Sequence, residues 1–322
     1  MRIVFFGSPE FAVPTLRAIA AEPTFEIALV VTQAAKGTSV VERAAFDLGL
    51  PVYKPETLGK ASARASLLAA EADLFVVAAF GLILRQTTLD IPRSGSVNVH
   101  PSLLPRYRGA SPVLAAIAAG DRESGVSLMV MDAGIDTGAV ISTEYVAVAD
   151  DDTTESLTRR LALVGAGQVV RDIPRWIAGG LAATPQPESG ATLTRPLTKS
   201  DGWIEWERPA VEIERQVRAM WPRPRAWTTV DDNLLQVHRA QVVIQDASDA
   251  APGSAIETGK RLIVATGRGA LELLVVEPAG RRAMPARAYL NGRRGPLRRL
   301  GMVGAPPQRP PLVVAATDAT GG

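Results

Sequence analysis

Residues 96–100 place an amide and an imidazole two positions apart. Polar and apolar side chains alternate in Ser96-Val97-Asn98-Val99-His100, so we predict a strand with Asn98 and His100 on one face. Pro101 has no backbone N–H and should end the strand, which puts both side chains at a carboxyl end, where open α/β sheets bind ligands. An amide there can polarise a carbonyl group, and an imidazole can move a proton. The same pattern also occurs in ordinary turns, so the pair needs further support.

A carboxylate in a later turn could complete this site. Asp136 precedes Thr137-Gly138 and lies between two predicted strands, Val126–Met131 and Ala139–Val148. Its carboxylate could orient the imidazole and favour the charged form, or it could position a proton-carrying water. It could also simply cap the backbone of its own turn, as could Asp132.

The two stretches together resemble the formyltransferase family that takes its one-carbon unit from 10-formyltetrahydrofolate. That family has Asn-x-His, then Ser-Leu-Leu-Pro and Arg-Gly, then an Asp-Thr-Gly turn, and this chain has the same order and spacing. The resemblance implies that Asn98, His100 and Asp136 form the catalytic triad. From the residues alone, either protonation state of His100 is compatible with proton transfer.

The resemblance also implies a folate pocket made of backbone and apolar side chains. It assigns to that pocket the residues Phe80, Gly81, Leu82, Ile83, Ser102, Leu103, Leu104 and Pro105. The alternative for Phe80–Leu84 is a hydrophobic loop that closes the core. We expect no metal, because the formyl donor is already activated. The absence of cysteine and the presence of only two histidines agree with that expectation.

The first part of the chain predicts an α/β fold that would position these residues. Strands at 2–6, 26–32, 51–53 and 74–79 alternate with helical segments such as 40–48 and 61–70. The pattern is typical of a Rossmann-like, mostly parallel sheet, which we assign to a catalytic domain at 1–181. We predict Ser8 as the cap of the first helix. The turn Gly7-Ser8-Pro9 lacks the second and third glycines of a dinucleotide site, so we expect no nicotinamide cofactor.

The second part of the chain has short strands broken by glycine and proline. Segments such as 197–206, 218–228 and 280–284 resemble the carboxyl domain of methionyl-tRNA formyltransferases, a small OB-like β-barrel. We therefore expect a linker at 182–200, a tRNA-binding barrel at 201–300 and a flexible tail at 301–322. The four tryptophans at 203, 206, 221 and 227 should be barrel core rather than stacking platforms.

Basic residues indicate where a polyanion could bind. Residues 201–300 hold 16 Lys and Arg against 12 Asp and Glu, in a chain of net charge +2. Seven arginines between 281 and 299 have no acidic residue among them. This cluster favours the binding of RNA, and the alternative is an ordinary solvent-exposed surface. We assign substrate contact to Lys36, Arg106, Arg108, Arg293 and Arg294; for Arg106 and Arg108, pairing with a carboxylate is the alternative. The run from Thr32 to Arg43 is shorter than the basic loop usual in the tRNA-acting family.

We expect no membrane span, since 47% of the residues are hydrophobic but they form no long apolar run. We also expect a cytoplasmic monomer. We expect it to transfer a formyl group from 10-formyltetrahydrofolate to the amine of methionyl-initiator tRNA. One alternative is a formyltransferase for a small amine such as an amino sugar nucleotide. The other is an RNA-binding relative without catalysis.

Overall fold

The computed structural model describes residues 1–34, 37–243, 250–258, 260–293, 295–301, 307 and 309–316. Lys36 and Arg294, both predicted to contact substrate, lie outside the described residues. Much of the predicted tail, residues 302–306, 308 and 317–322, also lies outside them.

The catalytic domain begins with alternating strands and helices, as the apolar runs predicted. These elements are β1 (Arg2–Gly7), α1 (Ala12–Ala21), β2 (Glu26–Val31), α2 (Val40–Asp47), β3 (Val52–Tyr53), α3 (Ala61–Ala69), β4 (Leu74–Ala78), α4 (Gln86–Leu89) and β5 (Ser96–His100). Alternate residues of β1 enter two different cores, Ile3 and Phe5 on one face and Val4 and Phe6 on the other. Helices cover both faces, which is why these strands are almost continuously apolar.

The sheet continues with antiparallel strands after a short loop. The next elements are β6 (Arg108–Gly109), α5 (Pro112–Ala119), β7 (Glu123–Val130), β8 (Val140–Ala147) and α6 (Thr154–Ile177). The strand order is β3-β2-β1-β4-β5-β7-β8, parallel up to β5 and antiparallel beyond it. Strands are added in one direction from β1 to β3 and in the other from β4, which creates a crevice at the carboxyl ends of β1 and β4.

Ser8 does not cap α1, contrary to the prediction. The helix begins at Ala12, and the Ser8 hydroxyl accepts a hydrogen bond from the Gln33 backbone at 3.0 Å. Ser8 therefore ties the ends of β1 and β2 together at the edge of the crevice.

The expected linker contains a strand that pairs on both edges. This strand, β9 (Thr192–Thr194), lies parallel to β6 and antiparallel to β16 (Val313–Ala315). The prediction of a flexible tail is therefore wrong for the described residues 309–316. The rest of the linker contains no further strand among the described residues of 182–200.

The C-terminal module is an antiparallel curled sheet that forms a half-barrel. It contains a short 3₁₀ helix (Lys199–Gly202), α7 (Ala210–Ala219), β10 (Ala226–Val230), β11 (Asn233–Val243), β12 (Ala255–Thr258), β13 (Arg261–Ala265), β14 (Ala270–Pro278), β15 (Met284–Pro285) and α8 (Ala286–Asn291). The strand order is β10-β11-β14-β13-β12, with β15 also paired to β14. Helices α7 and α8 were not predicted, because glycine and proline around them were interpreted as strand breaks.

The catalytic domain and the C-terminal module pack against each other. Thr154 at the start of α6 donates to the carbonyl of Ala219 at 2.6 Å, and Arg218 donates to the carbonyl of Asp152 at 2.9 Å. Trp203 and Trp206 are buried, as expected for core residues, and Trp203 meets Trp227 edge to face at 4.8 Å. No helix in the described part of the chain is both long and apolar enough to cross a bilayer.

Candidate active site

Asn98 and His100 lie at the carboxyl end of β5 and reach the same carboxylate. The Asn98 amide nitrogen donates to Asp136 Oδ1 at 3.2 Å, and His100 Nδ1 lies 3.5 Å from Asp136 Oδ2. His100 is only 3% exposed, while Asn98 is partly exposed at the crevice. The structure thus brings together the three residues predicted from the two motifs.

The backbone of Asp136 adopts a left-handed conformation that other groups hold in place. Its φ is +53°, a region that aspartate tolerates better than most residues. The backbone N–H of Gly109 donates to Asp136 Oδ2 at 2.8 Å, and the Gln186 amide donates to the carbonyls of Asp136 at 2.8 Å and Gly138 at 2.7 Å. Because Asp136 is bound through both its carboxylate and its backbone, its position is set by three separate parts of the chain.

Two glycines beside Asp136 are required by close backbone contacts. A Cβ atom on Gly138 would overlap the carbonyl oxygen of Val130. Gly109 has a φ of +95°, and a Cβ atom there would overlap the carbonyl oxygen of Thr194. The glycines of the Arg-Gly and Asp-Thr-Gly motifs therefore allow the backbone around Asp136 to pack this closely against β7 and β9.

The hydrogen bonds of His100 assign its two ring nitrogens to different tasks. Nε2 lies 3.0 Å from the carbonyl oxygen of Tyr107. A carbonyl oxygen can only accept, so Nε2 carries a hydrogen and donates it. Nδ1, which faces Asp136, is then the nitrogen that can gain or lose a proton. The sequence could not supply this assignment, because the Tyr107 carbonyl reaches His100 only through the folded loop.

Tyr107 anchors the loop that follows β5. Its hydroxyl donates to Asp121 Oδ2 at 2.8 Å, and Arg106 binds the same carboxylate at 2.9 Å. Burial, together with the Asp121 carboxylate, raises the pKa of Tyr107 to about 12. The phenol therefore stays protonated and available as a donor.

The two arginines of this loop differ in their surroundings. The Arg108 side chain is 4% exposed, donating to Gln186 Oε1 at 3.1 Å and lying 3.5 Å from Glu188 Oε1. Arg106 is half exposed beside Asp121. Of the two roles expected for Arg108, substrate contact and pairing with a carboxylate, the structure shows the pairing, with Glu188. Arg106 combines a carboxylate pairing with a surface that a substrate can reach.

The segment after β4 lines the crevice with apolar side chains and backbone. Phe80 is buried against Phe6, Leu82 is partly buried, and Ile83 is 86% exposed. Gly81 has a φ of +79°, and its backbone lies against the Gln33 side chain. Phe80 therefore closes the core, while Ile83 leaves an open apolar surface.

The Ser-Leu-Leu-Pro turn is fixed by hydrogen bonds to Arg106 and to Ser127 of β7. The Ser102 hydroxyl donates to the carbonyl of Arg106 at 2.7 Å, and Ser127 donates to the carbonyl of Ser102 at 2.8 Å. The Leu104 backbone donates to the Ser127 hydroxyl at 3.2 Å, and Leu103 covers Gly125. Ser102 thus uses its hydroxyl to close the turn that precedes Tyr107.

The basic residues of the C-terminal module are mainly on its surface. Arg281, Arg282, Arg287, Arg298 and Arg299 are exposed. Arg293 is different, because its side chain is 16% exposed and donates to Asp231 at 2.7 Å and to the Tyr289 hydroxyl at 3.1 Å. Of the arginines assigned to substrate in this module, Arg293 is thus held mainly by protein groups.

Gln186 was not predicted from the sequence. It contacts the carbonyls of Asp136 and Gly138, which precede it by 50 and 48 positions, so no local pattern signals its role.

In the described part of the chain, no group of three His, Cys, Asp or Glu residues is placed to hold a metal ion.

Comparison with known families covers nearly the whole chain. A model described as formyl transferase matches residues 1–173, and one described as the formyl transferase C-terminal domain matches residues 196–294. A methionyl-tRNA formyltransferase from Methylococcus capsulatus is 44% identical over 309 residues, spanning 94% of this chain and 100% of its own. A methionyl-tRNA formyltransferase from a Roseiflexus species is 43% identical over 302 residues, spanning 91% and 93%.

Solved structures share the fold at much lower identity. The N-formyltransferase from Helicobacter canadensis, in complex with folinic acid and dTDP-3-aminofucose, has a TM-score of 0.63 at 18% identity and covers 85% of this chain and 98% of its own. HypX from Aquifex aeolicus, in complex with tetrahydrofolic acid, has a TM-score of 0.60 at 17% identity, covering 90% and 47%.

Proposed function

The chain belongs to the formyl transferase family, and on that premise we propose that it formylates the amine of methionyl-initiator tRNA with 10-formyltetrahydrofolate as donor. The observation that carries the proposal is the cluster of Asn98, His100 and Asp136 at the crevice. The likeness to curated methionyl-tRNA formyltransferases, which extends through the C-terminal module, supports the tRNA substrate. A reaction on initiator tRNA also supports a cytoplasmic location.

Asn98 is the proposed donor to the formyl oxygen. Its amide nitrogen carries two hydrogens, and one of them donates to Asp136. The other can stabilise negative charge that develops on a carbonyl oxygen, and an amide donor in this role typically contributes about 10²–10³-fold in rate.

His100 is the proposed proton carrier. With Nε2 held by the Tyr107 carbonyl, Nδ1 takes the proton lost by the amine as its nitrogen bonds to the formyl carbon, and the adjacent Asp136 carboxylate stabilises the charged ring. The bond from the formyl carbon to N10 of the folate then breaks, and Nδ1 returns the proton to N10, so that tetrahydrofolate leaves. Asp136 is rigidly placed by Gly109 and Gln186, so it can perform this task without rearrangement.

The crevice after β4 is the proposed folate site. The exposed Ile83 gives an apolar surface for a flat ring, and the backbone of Gly81 and its neighbours offers donors and acceptors along its edge. We propose that Gly81, Leu82 and Ile83 hold the ring, with Phe80 as the buried support of this segment. Leu103–Pro105 are proposed as a second wall and Ser102 as the support that fixes them. The bound co-substrate supplies the formyl group, and no metal is proposed.

A transfer assay with alternative amines tests this function. Purified protein with 10-formyltetrahydrofolate should formylate methionyl-initiator tRNA much faster than a dTDP-amino sugar at equal concentration. Methionyl-elongator tRNA serves as the matched control for the tRNA body. Faster transfer to the amino sugar would establish the small-amine alternative, and no transfer to any amine would establish a relative without catalysis.

A further inference from the structure

Residues 309–316 lie beyond residue 294, where the match to the C-terminal family model ends, yet they pair with β9, which in turn pairs with β6 of the catalytic domain. β16 pairs antiparallel with β9 through Val313, Val314 and Ala315. Two further backbone bonds extend this pairing, from Arg195 to the carbonyl of Leu312 at 3.3 Å and from Ala316 to that of Ala191 at 3.0 Å. Together these contacts cover one edge of β9.

The other edge of β9 holds the loop that contacts the catalytic residues. The Thr192 hydroxyl accepts from the Tyr107 backbone at 2.8 Å, and the Thr194 hydroxyl donates to the carbonyl of Arg108 at 2.9 Å. That loop in turn supplies the Tyr107 carbonyl to His100 Nε2 and the Gly109 N–H to Asp136. Two hydrogen-bonded elements, β9 and the loop at Tyr107 and Arg108, therefore lie between β16 and the His100 imidazole.

Side-chain packing links the same two regions. Leu312 and Val313 pack against Tyr107 and against Ala115 and Ala116 of α5. Tyr107 has a φ of +59°, a conformation that a bulky residue keeps only when its surroundings determine it. Leu312 and Val313 are part of those surroundings.

Arg309 attaches the start of this segment to the C-terminal module. Its guanidinium donates to the carbonyls of Ser200, Asp201 and Trp203 at 2.9–3.2 Å and pairs with Glu205 at 3.2 Å. Arg195 binds the segment from the other side, through the carbonyls of Pro310 and Pro311.

We propose that residues 309–316 form a positioning segment for formyl transfer, which sets the place of the Tyr107 carbonyl and thereby of His100. The proposal rests on the proposed function, since it concerns the same triad. The segment itself does not touch the reacting groups. It acts by fixing β9, which fixes the loop between residues 105 and 111.

Shortened chains test the proposal. Removing residues 309–322 should lower kcat for methionyl-tRNA by roughly 10–10²-fold, because misplacing a catalytic group by about 1 Å has effects of that size. Removing only residues 317–322 is the matched control and should leave kcat unchanged. The KM for 10-formyltetrahydrofolate should change little in either chain. An equal kcat for the two shortened chains would overturn the proposal.

A pair of point changes keeps the test valid if the shorter chain does not fold. Leu312→Ala with Val313→Ala retains the strand but removes its packing on Tyr107, and it should also lower kcat. Arg309→Ala should lower kcat, and Arg309→Lys, which keeps donors for the carbonyls, should restore most of it. Lower thermal stability with kcat unchanged in these variants would show a purely structural segment and contradict the proposal.

The NMR signals of His100 separate this inference from the proposed function. The chain has only two histidines, so His238→Gln leaves the imidazole signals of His100 alone. In that background, removal of residues 309–322 or the Leu312→Ala, Val313→Ala change should shift the ring-nitrogen resonances of His100, because the Tyr107 carbonyl that accepts from Nε2 moves. Unchanged resonances would refute the positioning role even if the protein formylated no tRNA at all.

Discussion

The triad and the arginine-rich surface of the C-terminal module are charged regions built in opposite ways. In the triad, one carboxylate meets Asn98, His100 and a backbone N–H at 2.8–3.5 Å, and His100 is buried. On the module, Arg281, Arg282, Arg298 and Arg299 are exposed. The triad is preorganised for one chemical step, whereas exposed arginines can follow a phosphate backbone. Changes in the first region should therefore alter turnover, and changes in the second should alter affinity and its dependence on salt.

The largest effect on turnover is expected for His100→Ala. The general acid–base group is lost, and kcat should fall by about 10²–10⁴-fold while folate binding is retained. Steady-state assays and folate titrations measure both quantities. His238→Gln is the matched control, since His238 is the other buried histidine and lies in the C-terminal module. Normal turnover of His100→Ala would show that the triad, like the arginine-rich surface, is not required for the chemical step.

The next largest effect is expected for Asp136→Asn. The shape is kept, but the charge that supports a protonated His100 is lost, so kcat should fall on the order of 10²-fold with a smaller change in KM. Asp132→Asn is the control in the same turn, because Asp132 binds only Gly134 and Thr137 there. Equal turnover for both variants, with Asp136→Asn merely less stable, would mean that Asp136 only holds β5 and the loop at Gly109 together.

A moderate effect is expected for Gln186→Ala. The carbonyls of Asp136 and Gly138 lose their donor, and Arg108 loses an acceptor, so kcat should fall about tenfold, equivalent to roughly 1.4 kcal/mol. Gln186→Glu keeps an acceptor for Arg108 but lacks the donor. Turnover should therefore fall in both variants, while thermal unfolding should show the greater loss of stability for Gln186→Ala. Full turnover in Gln186→Glu would remove Gln186 from the positioning of Asp136.

Reversing the charge of the exposed arginines should leave turnover unchanged and lower the affinity for tRNA. Replacing Arg281, Arg282, Arg298 and Arg299 by Glu should weaken tRNA binding. It should also reduce the slope of log affinity against log salt by about one for each phosphate that the protein no longer neutralises. Binding titrations at several salt concentrations measure this slope, with Arg17→Glu as an exposed control on α1. If the slope is unaffected, this surface is only solvated and does not bind tRNA.

The smallest effect is on stability and comes from His238. Burial and the nearby Arg225 lower its pKa, so below about pH 6.5 the unfolded chain takes up a proton more readily than the folded one. Its contribution to stability should therefore decrease as the pH falls through that range. Denaturant unfolding between pH 5 and 8 should show a weaker pH dependence for His238→Gln. An identical dependence in both proteins would contradict the burial argument.

The sequence was most informative for a strand that has both alternating side chains and residues able to do chemistry. β5 was predicted with Asn98 and His100 on one face, and the structure confirms it, because its alternation is fixed by burial on both sides of the sheet. The strands β6, β9 and β16 were not predicted. Each is two or three residues long and pairs with a strand at least 80 positions away, so neither periodicity nor local sequence signals it. Gln186 was missed for the same reason, since it acts across 48 and 50 positions. The Tyr107 carbonyl lies only seven positions after His100, but it is a backbone group, which residue types do not reveal.

A double-mutant cycle tests most directly whether His100 and Asp136 act as one catalytic unit. The measurement is kcat for methionyl-tRNA in the wild type, His100→Ala, Asp136→Asn and the double variant. For a single unit, the double variant should be no slower than His100→Ala alone, since the charge removed in Asp136→Asn is the one that supports a protonated His100, while the side-chain oxygen that accepts from Asn98 is kept. Losses that multiply would contradict the account, because they would show two independent contributions.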